Sequence, residues 1–148
     1  SLRRQRQMCI RDSSGTGGNS GTQASTAVIR ALSLGEVRFG DLLRVVWKEC
    51  RVALICGVCL AAANFVKMIA VDCWLLNNPA VTPAVAAVVC CTLVGTVACA
   101  KLVGASLPIL AEKIGFDPAV MASPFISTIV DALSLLIYFR FATWILGV

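Results

Sequence analysis

The 148-residue sequence contains no histidine and few charges, since Asp, Glu, Lys and Arg make up only 14% of it. The absence of His excludes His-based catalysis and His ligation of a metal. A soluble domain of this length must cover itself with polar side chains, but this chain is 58% hydrophobic with a mean hydropathy of +0.85. The composition therefore predicts an integral membrane protein.

Cysteine is not scarce, but its surroundings argue against disulfides and redox chemistry. Six of the eight cysteines lie in or beside apolar runs, where a thiol acts as a small hydrophobic side chain. Cys56 and Cys59 form the spacing C-G-V-C, yet no polar or cationic neighbour is present to lower the pKa of either thiol. We expect no redox site and no enzyme activity from these residues.

Three stretches are long and apolar enough to cross a bilayer as helices: residues 52–71, 81–103 and 119–146. Each reaches the ~20 residues that a helix needs to cross ~30 Å of hydrocarbon. Residues 15–30 fit the cytoplasmic half of one further helix. The predicted fold is therefore an all-α integral membrane bundle of three complete transmembrane helices and part of a fourth.

The first residues do not look like part of this protein. Residues 3–12 read RRQRQMCIRD and match, residue by residue, the translation of a sequencing-library adapter (CGT CGG CAG CGT CAG ATG TGT ATA AGA GAC). We therefore expect residues 1–12 to be foreign and residues 13–148 to be a fragment of a membrane domain. Without the Arg-rich start, nine basic and seven acidic residues remain, and no nucleic-acid partner is expected.

The distribution of basic residues predicts the orientation in the cell membrane. Five lie between Ile29 and Val52, namely Arg30, Arg38, Arg44, Lys48 and Arg51, whereas the connection 72–83 has none. Because positive charge stays cytoplasmic, the first complete span should run outward, the second inward and the third outward. Four acids fall at the predicted cytoplasmic surface, where we expect solvated side chains: Glu36, Asp41, Glu49 and Glu112.

Residues 15–26, GTGGNSGTQAST, combine four glycines with uncharged polar residues. A phosphate-binding loop is not supported, since no G-K-[ST] follows. Two readings remain open: a flexible linker, or a helix whose small residues Gly17, Gly21 and Ser25 recur every four positions and permit close packing. In the helical reading three polar residues share one face and would line a wet pathway: Asn19, Gln23 and Thr26.

Asp131 is the only acidic residue within any predicted span, near the centre of the third. A carboxylate there is costly, so by default it faces a water-filled path. Ser123 and Ser127 precede it at four-residue spacing, with Ser134 close to the same stripe. Pro124 cannot donate to the carbonyl of Val120, which leaves a backbone acceptor in the same region.

This polar stripe, doubled by a symmetric partner, predicts a site for a cation. Mg²⁺ suits such a site because it keeps its waters and is held by one or two carboxylates. The residues alone also permit Ca²⁺, Mn²⁺, Co²⁺ or a proton.

Two long segments carry a family resemblance: GTGGNSGTQASTAVIRALSLGEV and GASLPILAEKIGFDPAVMASPFISTIVDALSLLIYF. Together they resemble the membrane domain of the MgtE magnesium channels. The resemblance implies a homodimer with a Mg²⁺ pore at the two-fold axis, lined chiefly by the second and fifth of five helices. It further implies a cytoplasmic N-terminal domain, paired CBS domains and a connecting helix upstream. One departure is Met121-Ala122-Ser123, where the family commonly has A-S-G before the proline.

Asp117 has two readings. It precedes Pro118, a good first helical residue, so a helix N-cap explains it fully. The resemblance implies that the matching acid lies near the cytoplasmic mouth of the pore, which makes Asp117 a candidate ion contact as well.

Two other function classes are possible from the residues alone. An intramembrane aspartyl protease needs two facing acids within spans, and only Asp131 qualifies. A structural membrane subunit would leave a midplane Asp without a role. The expected function is therefore a divalent-cation channel or transporter in the cell membrane.

Overall fold

The structure, a computed structural model, describes residues 2–70, 83–121 and 123–146. It contains four α-helices: α1 (Leu2–Ser33), α2 (Leu42–Lys67), α3 (Pro83–Ile114) and α4 (Ser123–Leu146). Short 3-10 helices, Phe39–Asp41 and Pro118–Met121, precede α2 and α4. Within the described ranges no strand occurs, which confirms the all-α prediction.

Three segments are long and apolar enough to cross a membrane: Phe39–Ala70, Ala84–Ile114 and Pro124–Ile145. This agrees with the three complete spans expected from the sequence. The predicted outer connection, residues 72–83, lies almost wholly outside the described residues. Its placement on the outer side of the membrane remains a prediction. The helix of the third span begins at Ser123, because residues 118–121 form the separate 3-10 helix.

Helix α3 lies at the centre of the bundle. Helices α1, α2 and α4 all pack against it, and α1 also packs against α4. Half of the apolar segment of α3 is buried inside the protein, compared with 17% for the α2 segment and 22% for the α4 segment. At one end, Val28 and Leu32 of α1 pack against Ala105 and Ile109 of α3. The remaining apolar surface of α2 and α4 is left for lipid.

The Gly- and Thr-rich residues 15–26 lie within α1, so the linker reading does not describe them. In hydrocarbon every backbone N–H and C=O must be satisfied within the chain, which favours a helix even for residues of low helix propensity. Two threonine hydroxyls of this segment also donate hydrogen bonds within the helix. Thr22 donates to the carbonyl of Gly18, and Thr26 donates to the carbonyl of Thr22, both at 2.9 Å.

Helices α1 and α3 end in the same manner, at a glycine with positive φ. Gly35 has φ 71° and Gly115 has φ 88°, in the left-handed region that residues with a Cβ rarely adopt. The N–H of Glu36 then donates to Ala31 (3.0 Å), and the N–H of Phe116 donates to Ala111 (2.9 Å). These bonds satisfy carbonyls that a helix end would otherwise leave without partners.

The closest approach in the bundle is between the backbones of α1 and α3. A Cβ atom added to Gly104 would overlap the carbonyl oxygen of Gly21. A Cβ added to Gly21 would lie 3.0 Å from both the carbonyl oxygen of Ala100 and the Cγ2 atom of Ile126 on α4. The small-residue stripe expected from the sequence therefore brings α1 against two neighbours, α3 and α4.

This contact generates a stability prediction. Gly104→Ala should destabilise the chain by about 1–3 kcal/mol, because the added methyl group must displace backbone. Gly15→Ala is the matched control, since a Cβ at Gly15 meets no atom within 4 Å. Alanine is the better helix former by about 1 kcal/mol, so the control should melt at the same or a higher temperature. Thermal unfolding of the chain in detergent measures both, and equal melting temperatures would contradict the packing argument.

Candidate functional site

Asp131 lies on the exposed side of α4, and a residue of α1 contacts it directly. The hydroxyl of Ser14 donates a hydrogen bond to Oδ1 of Asp131. This contact joins residues 117 positions apart in the sequence. Among the described residues, the only group that hydrogen bonds to this carboxylate is an uncharged hydroxyl, and no basic side chain forms an ion pair with it.

The hydroxyls of Ser127 and Thr128 lie one turn before Asp131. Both donate to the carbonyl of Pro124, at 3.1 and 2.8 Å. The sequence reading expected Pro124 to release the carbonyl of Val120 inside a continuous helix. Instead, Pro124 is the second residue of α4, where a backbone N–H has no helical partner in any case. The side chain of Ser123 lies outside the described residues, so its predicted role stays a prediction.

Helices α1 and α4 run antiparallel, and α1 presents small residues to α4. Ser14 contacts Asp131, and a Cβ added to Gly18 would lie 3.7 Å from Cβ of Ser127. Gly17 is packed more tightly still, since a Cβ there would meet Thr96 of α3 at 2.5 Å and Val130 of α4 at 3.0 Å. The glycines on this side of α1 let α4 approach closely enough for its carboxylate to accept the hydrogen bond from Ser14.

The three residues predicted to line a pathway are all exposed on α1: Asn19, Gln23 and Thr26. They lie on the side of α1 that faces away from α3, whereas Gly21, Ala24 and Ser25 are buried. On α4, Thr128 and Asp131 are likewise exposed while Ile126 and Val130 are buried. We call the five exposed residues Asn19, Gln23, Thr26, Thr128 and Asp131 the α1–α4 polar surface.

Asp117 is exposed and caps a helical turn. Its Oδ1 atom accepts a hydrogen bond from the N–H of Ala119 at 2.9 Å. The turn it caps is the 3-10 helix Pro118–Met121 rather than α4 itself, because α4 begins six residues further on, at Ser123. The capping role is therefore present, and the candidate ion contact at Asp117 stays a prediction.

A second charged feature was not expected from the sequence: an ion pair between α2 and α3. Lys101 Nζ lies 3.3 Å from Oε2 of Glu49, and their side chains are only 11% and 14% exposed. The expectation that Glu49 is a solvated surface charge is therefore wrong. The physical reason is that Lys101 interrupts the apolar face of α3 that packs on α2, and burying its ammonium group requires a carboxylate partner.

Both of these missed contacts had only weak signals in the sequence. A lone Lys within an apolar run indicates a paired or functional group, but spacing does not reveal a partner 52 residues away. Ser14 gives no signal of its own in a segment rich in Ser and Thr. Within the described residues, no three Cys, Asp or Glu side chains lie close enough together to hold a metal ion.

The fold and these polar positions define a class: a multi-pass α-helical membrane protein in which, among the described residues, one carboxylate without a basic partner lies on an otherwise uncharged polar surface. The family model described as "MgtE: Divalent cation transporter" matches residues 13–141. The chain therefore belongs to this family of transporters and is not an enzyme, so the aspartyl protease reading does not describe it.

Curated relatives agree with this assignment. The chain is 37% identical to the magnesium transporter MgtE of Thermus thermophilus over 89% of its own length. It is 36% identical to the proteins of the same name from Enterococcus faecalis and Bacillus subtilis, over 87% and 88% of its length. In each case the chain spans about 27% of the length of the relative that it matches.

The ion pair leads to a prediction for a full-length chimeric transporter, in which residues 13–148 replace the matching segment of the Thermus relative. Lys101→Met should destabilise it by about 3–5 kcal/mol, because the Glu49 carboxylate stays buried without a cation. The double variant Glu49→Leu/Lys101→Met should recover most of this loss. Thermal unfolding in detergent provides the measurement.

Lys113→Met is the matched control for the ion pair, since it makes the same substitution on the same helix. Lys113 Nζ lies 3.9 Å from the centroid of the Phe39 ring, an exposed cation–π contact of about 0.5–1 kcal/mol. If Lys101→Met costs no more than this control, the pair does not hold α2 to α3.

Proposed function

We propose that this chain forms part of the ion pathway of a Mg²⁺ transporter, with Asp131 at its central cation site. In this proposal two copies meet through their α1–α4 polar surfaces at the axis of a homodimer. One observation carries the proposal: an otherwise uncharged polar surface within the membrane domain holds a single carboxylate, and no basic side chain among the described residues pairs with it. Exposed polar groups at this depth are costly against lipid, so a second copy and water are the expected neighbours.

Asp131 is better suited to bind a passing cation than Glu49, the carboxylate of α2. Glu49 is already neutralised by Lys101 and is largely buried between two helices. Asp131 is exposed, and its partner is the hydroxyl of Ser14. A hydroxyl orients a carboxylate without cancelling its charge, so the attraction for a cation remains.

A hydrated divalent ion fits two such carboxylates. Mg²⁺ sheds water reluctantly and is typically held by one or two carboxylates together with several of its own waters. Two Asp131 side chains near a common axis repel each other when no ion is present, so a divalent ion is favoured over a monovalent one. Mn²⁺, Co²⁺ and Ca²⁺ satisfy the same charge requirement, and the names of the relatives favour Mg²⁺.

The polar residues of α1 supply the approach to this site. Asn19 and Gln23 offer amide oxygens. Thr26 lies about two turns closer to the predicted cytoplasmic end than Asn19. Such groups exchange hydrogen bonds with the waters of a hydrated ion without binding it strongly. In this proposal Ser127, Ser123 and Asp117 continue the pathway on the α4 side, with Asp117 at the cytoplasmic mouth.

The central prediction concerns charge at Asp131. In the chimeric transporter, Asp131→Asn keeps the shape of the side chain and removes both charges from the dimer. Mg²⁺ uptake into proteoliposomes should fall by at least about 100-fold, which corresponds to about 2.7 kcal/mol. Insertion should be unaffected, because a neutral amide costs less within the membrane than a carboxylate.

Asp117→Asn is the comparison variant. Asn can still accept the hydrogen bond from Ala119, so the cap survives and uptake should fall much less. Normal uptake by Asp131→Asn together with lost uptake by Asp117→Asn would locate the cation site at the cytoplasmic mouth and refute the assignment to Asp131.

A further prediction tests Ser14 as a positioning residue. Ser14→Ala removes the hydroxyl that donates to Asp131, and uptake should fall by up to about 10-fold with a raised KM for Mg²⁺. Ser14→Thr keeps a hydroxyl and should restore most of the uptake. Ser20→Ala changes the same residue type on the half-buried opposite side of α1 and should leave KM unchanged. An equal effect of both alanine variants would contradict a specific role for Ser14.

A further inference from the structure

The first three turns of α2 carry a cluster of exposed cations. Arg44, Lys48 and Arg51 are all exposed, and their spacing of four and three residues puts them along one side of the helix. The side chain of Arg44 is 87% exposed. Residues 42–51 read LLRVVWKECR, so three of the four charged side chains in this stretch are cations.

Two large apolar side chains share this side of α2. Leu43 is 81% exposed and Trp47 is 68% exposed. They are four residues apart, so they lie beside the cations rather than behind them. Indole rings concentrate where hydrocarbon meets water, since they offer an apolar body and an N–H donor. We call the five residues Leu43, Arg44, Trp47, Lys48 and Arg51 the basic surface of α2.

The acids near this surface do not cancel its charge. Glu49 is turned toward α3, where Lys101 neutralises it. Asp41 lies 3.9 Å from Arg44, at the edge of ion-pair distance, and leaves Lys48 and Arg51 without an acidic partner among the described residues. The basic surface therefore keeps a net positive charge.

The depth of the basic surface matches the headgroup layer of a bilayer. The exposed side of α2 carries no charge from Leu54 to Val66, until Lys67. The 16 residues from Arg51 to Lys67 rise ~24 Å, close to the thickness of the hydrocarbon core. The stretch from Arg44 to Arg51 rises ~10 Å, comparable to one headgroup region.

We propose that the basic surface of α2 binds the headgroup of an anionic phospholipid in the cytoplasmic leaflet. Arg44, Lys48 and Arg51 pair with the headgroup phosphate, Trp47 lies among them in the headgroup region, and the acyl chains run along Leu54 and Val58. A lipid is favoured over an acidic protein segment because the exposed apolar side chains continue without a break from the cations. The occupant must therefore have a charged end and a long apolar body.

Native mass spectrometry of the chimeric transporter tests this proposal. Phosphatidylglycerol and phosphatidylcholine with identical acyl chains are compared as ligands. The unchanged chimera should retain phosphatidylglycerol preferentially. The variant Arg44→Gln/Lys48→Gln/Arg51→Gln should bind it at least about 10-fold more weakly, since each cation near an anionic surface contributes roughly fivefold.

A matched triple variant removes the same charge from the same membrane face: Arg30→Gln/Arg38→Gln/Lys113→Gln. These three residues lie on α1, on the turn before α2 and on α3, and none of them belongs to the basic surface. Phosphatidylglycerol binding should stay within about twofold of the unchanged chimera. An equal loss in both triple variants would reduce the effect to overall charge and overturn the proposal.

A single variant covers the case in which the triple change disturbs topology or folding. Trp47→Ala leaves every charge in place and should weaken phosphatidylglycerol binding about threefold, because it removes only the interfacial contact. Unaltered binding by both Trp47→Ala and the Arg44/Lys48/Arg51 variant would overturn the proposal and leave an acidic protein segment as the occupant. Because the readout is lipid binding, it does not depend on Asp131 or on transport.

Discussion

The contact between the backbones of Gly21 and Gly104 is the constraint on which the arrangement of the other helices depends. Helices in lipid gain little from hydrophobic association, so how closely their backbones approach decides which pairs form. Any side chain at Gly104 would overlap α1. Pro108, one turn later, has no N–H to donate to the carbonyl of Gly104, so hydrogen bonding within α3 is also interrupted at this crossing. With α1 fixed on α3 here, Ser14 is level with Asp131 on α4.

The charged residues on the two sides of α3 differ in their partners. Toward α2, the cation Lys101 is buried and matched by Glu49, an arrangement that resists separation because either partner alone would be a buried unpaired charge. Toward α1 and α4, Asp131 is exposed and matched only by a hydroxyl among the described residues. A matched pair stabilises helix contacts but offers nothing to a cation. An unmatched carboxylate contributes little to stability, and its charge stays available, which is why the proposed function rests on Asp131.

The sequence predicts the features that depend on length, composition and local spacing. Three charge-poor stretches of membrane length predict the spanning helices, and a lone midspan acid singles out Asp131. The sequence does not predict contacts between residues that are far apart in the chain. Glu49 looks like a surface charge because it stands among cations, and only the packing of α2 on α3 brings it to Lys101. Nothing in the sequence distinguishes Ser14 from the other hydroxyl residues of α1, because its contact with Asp131 depends on the packing of α1 against α4. The sequence does not predict where α4 begins, because the residues before Ser123 form a 3-10 helix of similar composition.

The burial of Glu49 links the interior of the protein to its surface. If this carboxylate faced outward, it would stand beside Lys48 and Arg51 and cancel part of their charge. Because Lys101 draws it inward, the outer side of α2 stays cationic while α2 is anchored to α3 by the same ion pair. Helix α2 reaches the rest of the bundle chiefly through α3, so α3 separates this cationic side from the α1–α4 polar surface. In the proposed function, cations on the α1–α4 polar surface would repel a passing divalent ion, whereas on the far side of α3 they are available to the anionic headgroup proposed to bind there. One buried ion pair thus keeps positive charge on the outer side of α2 and away from Asp131.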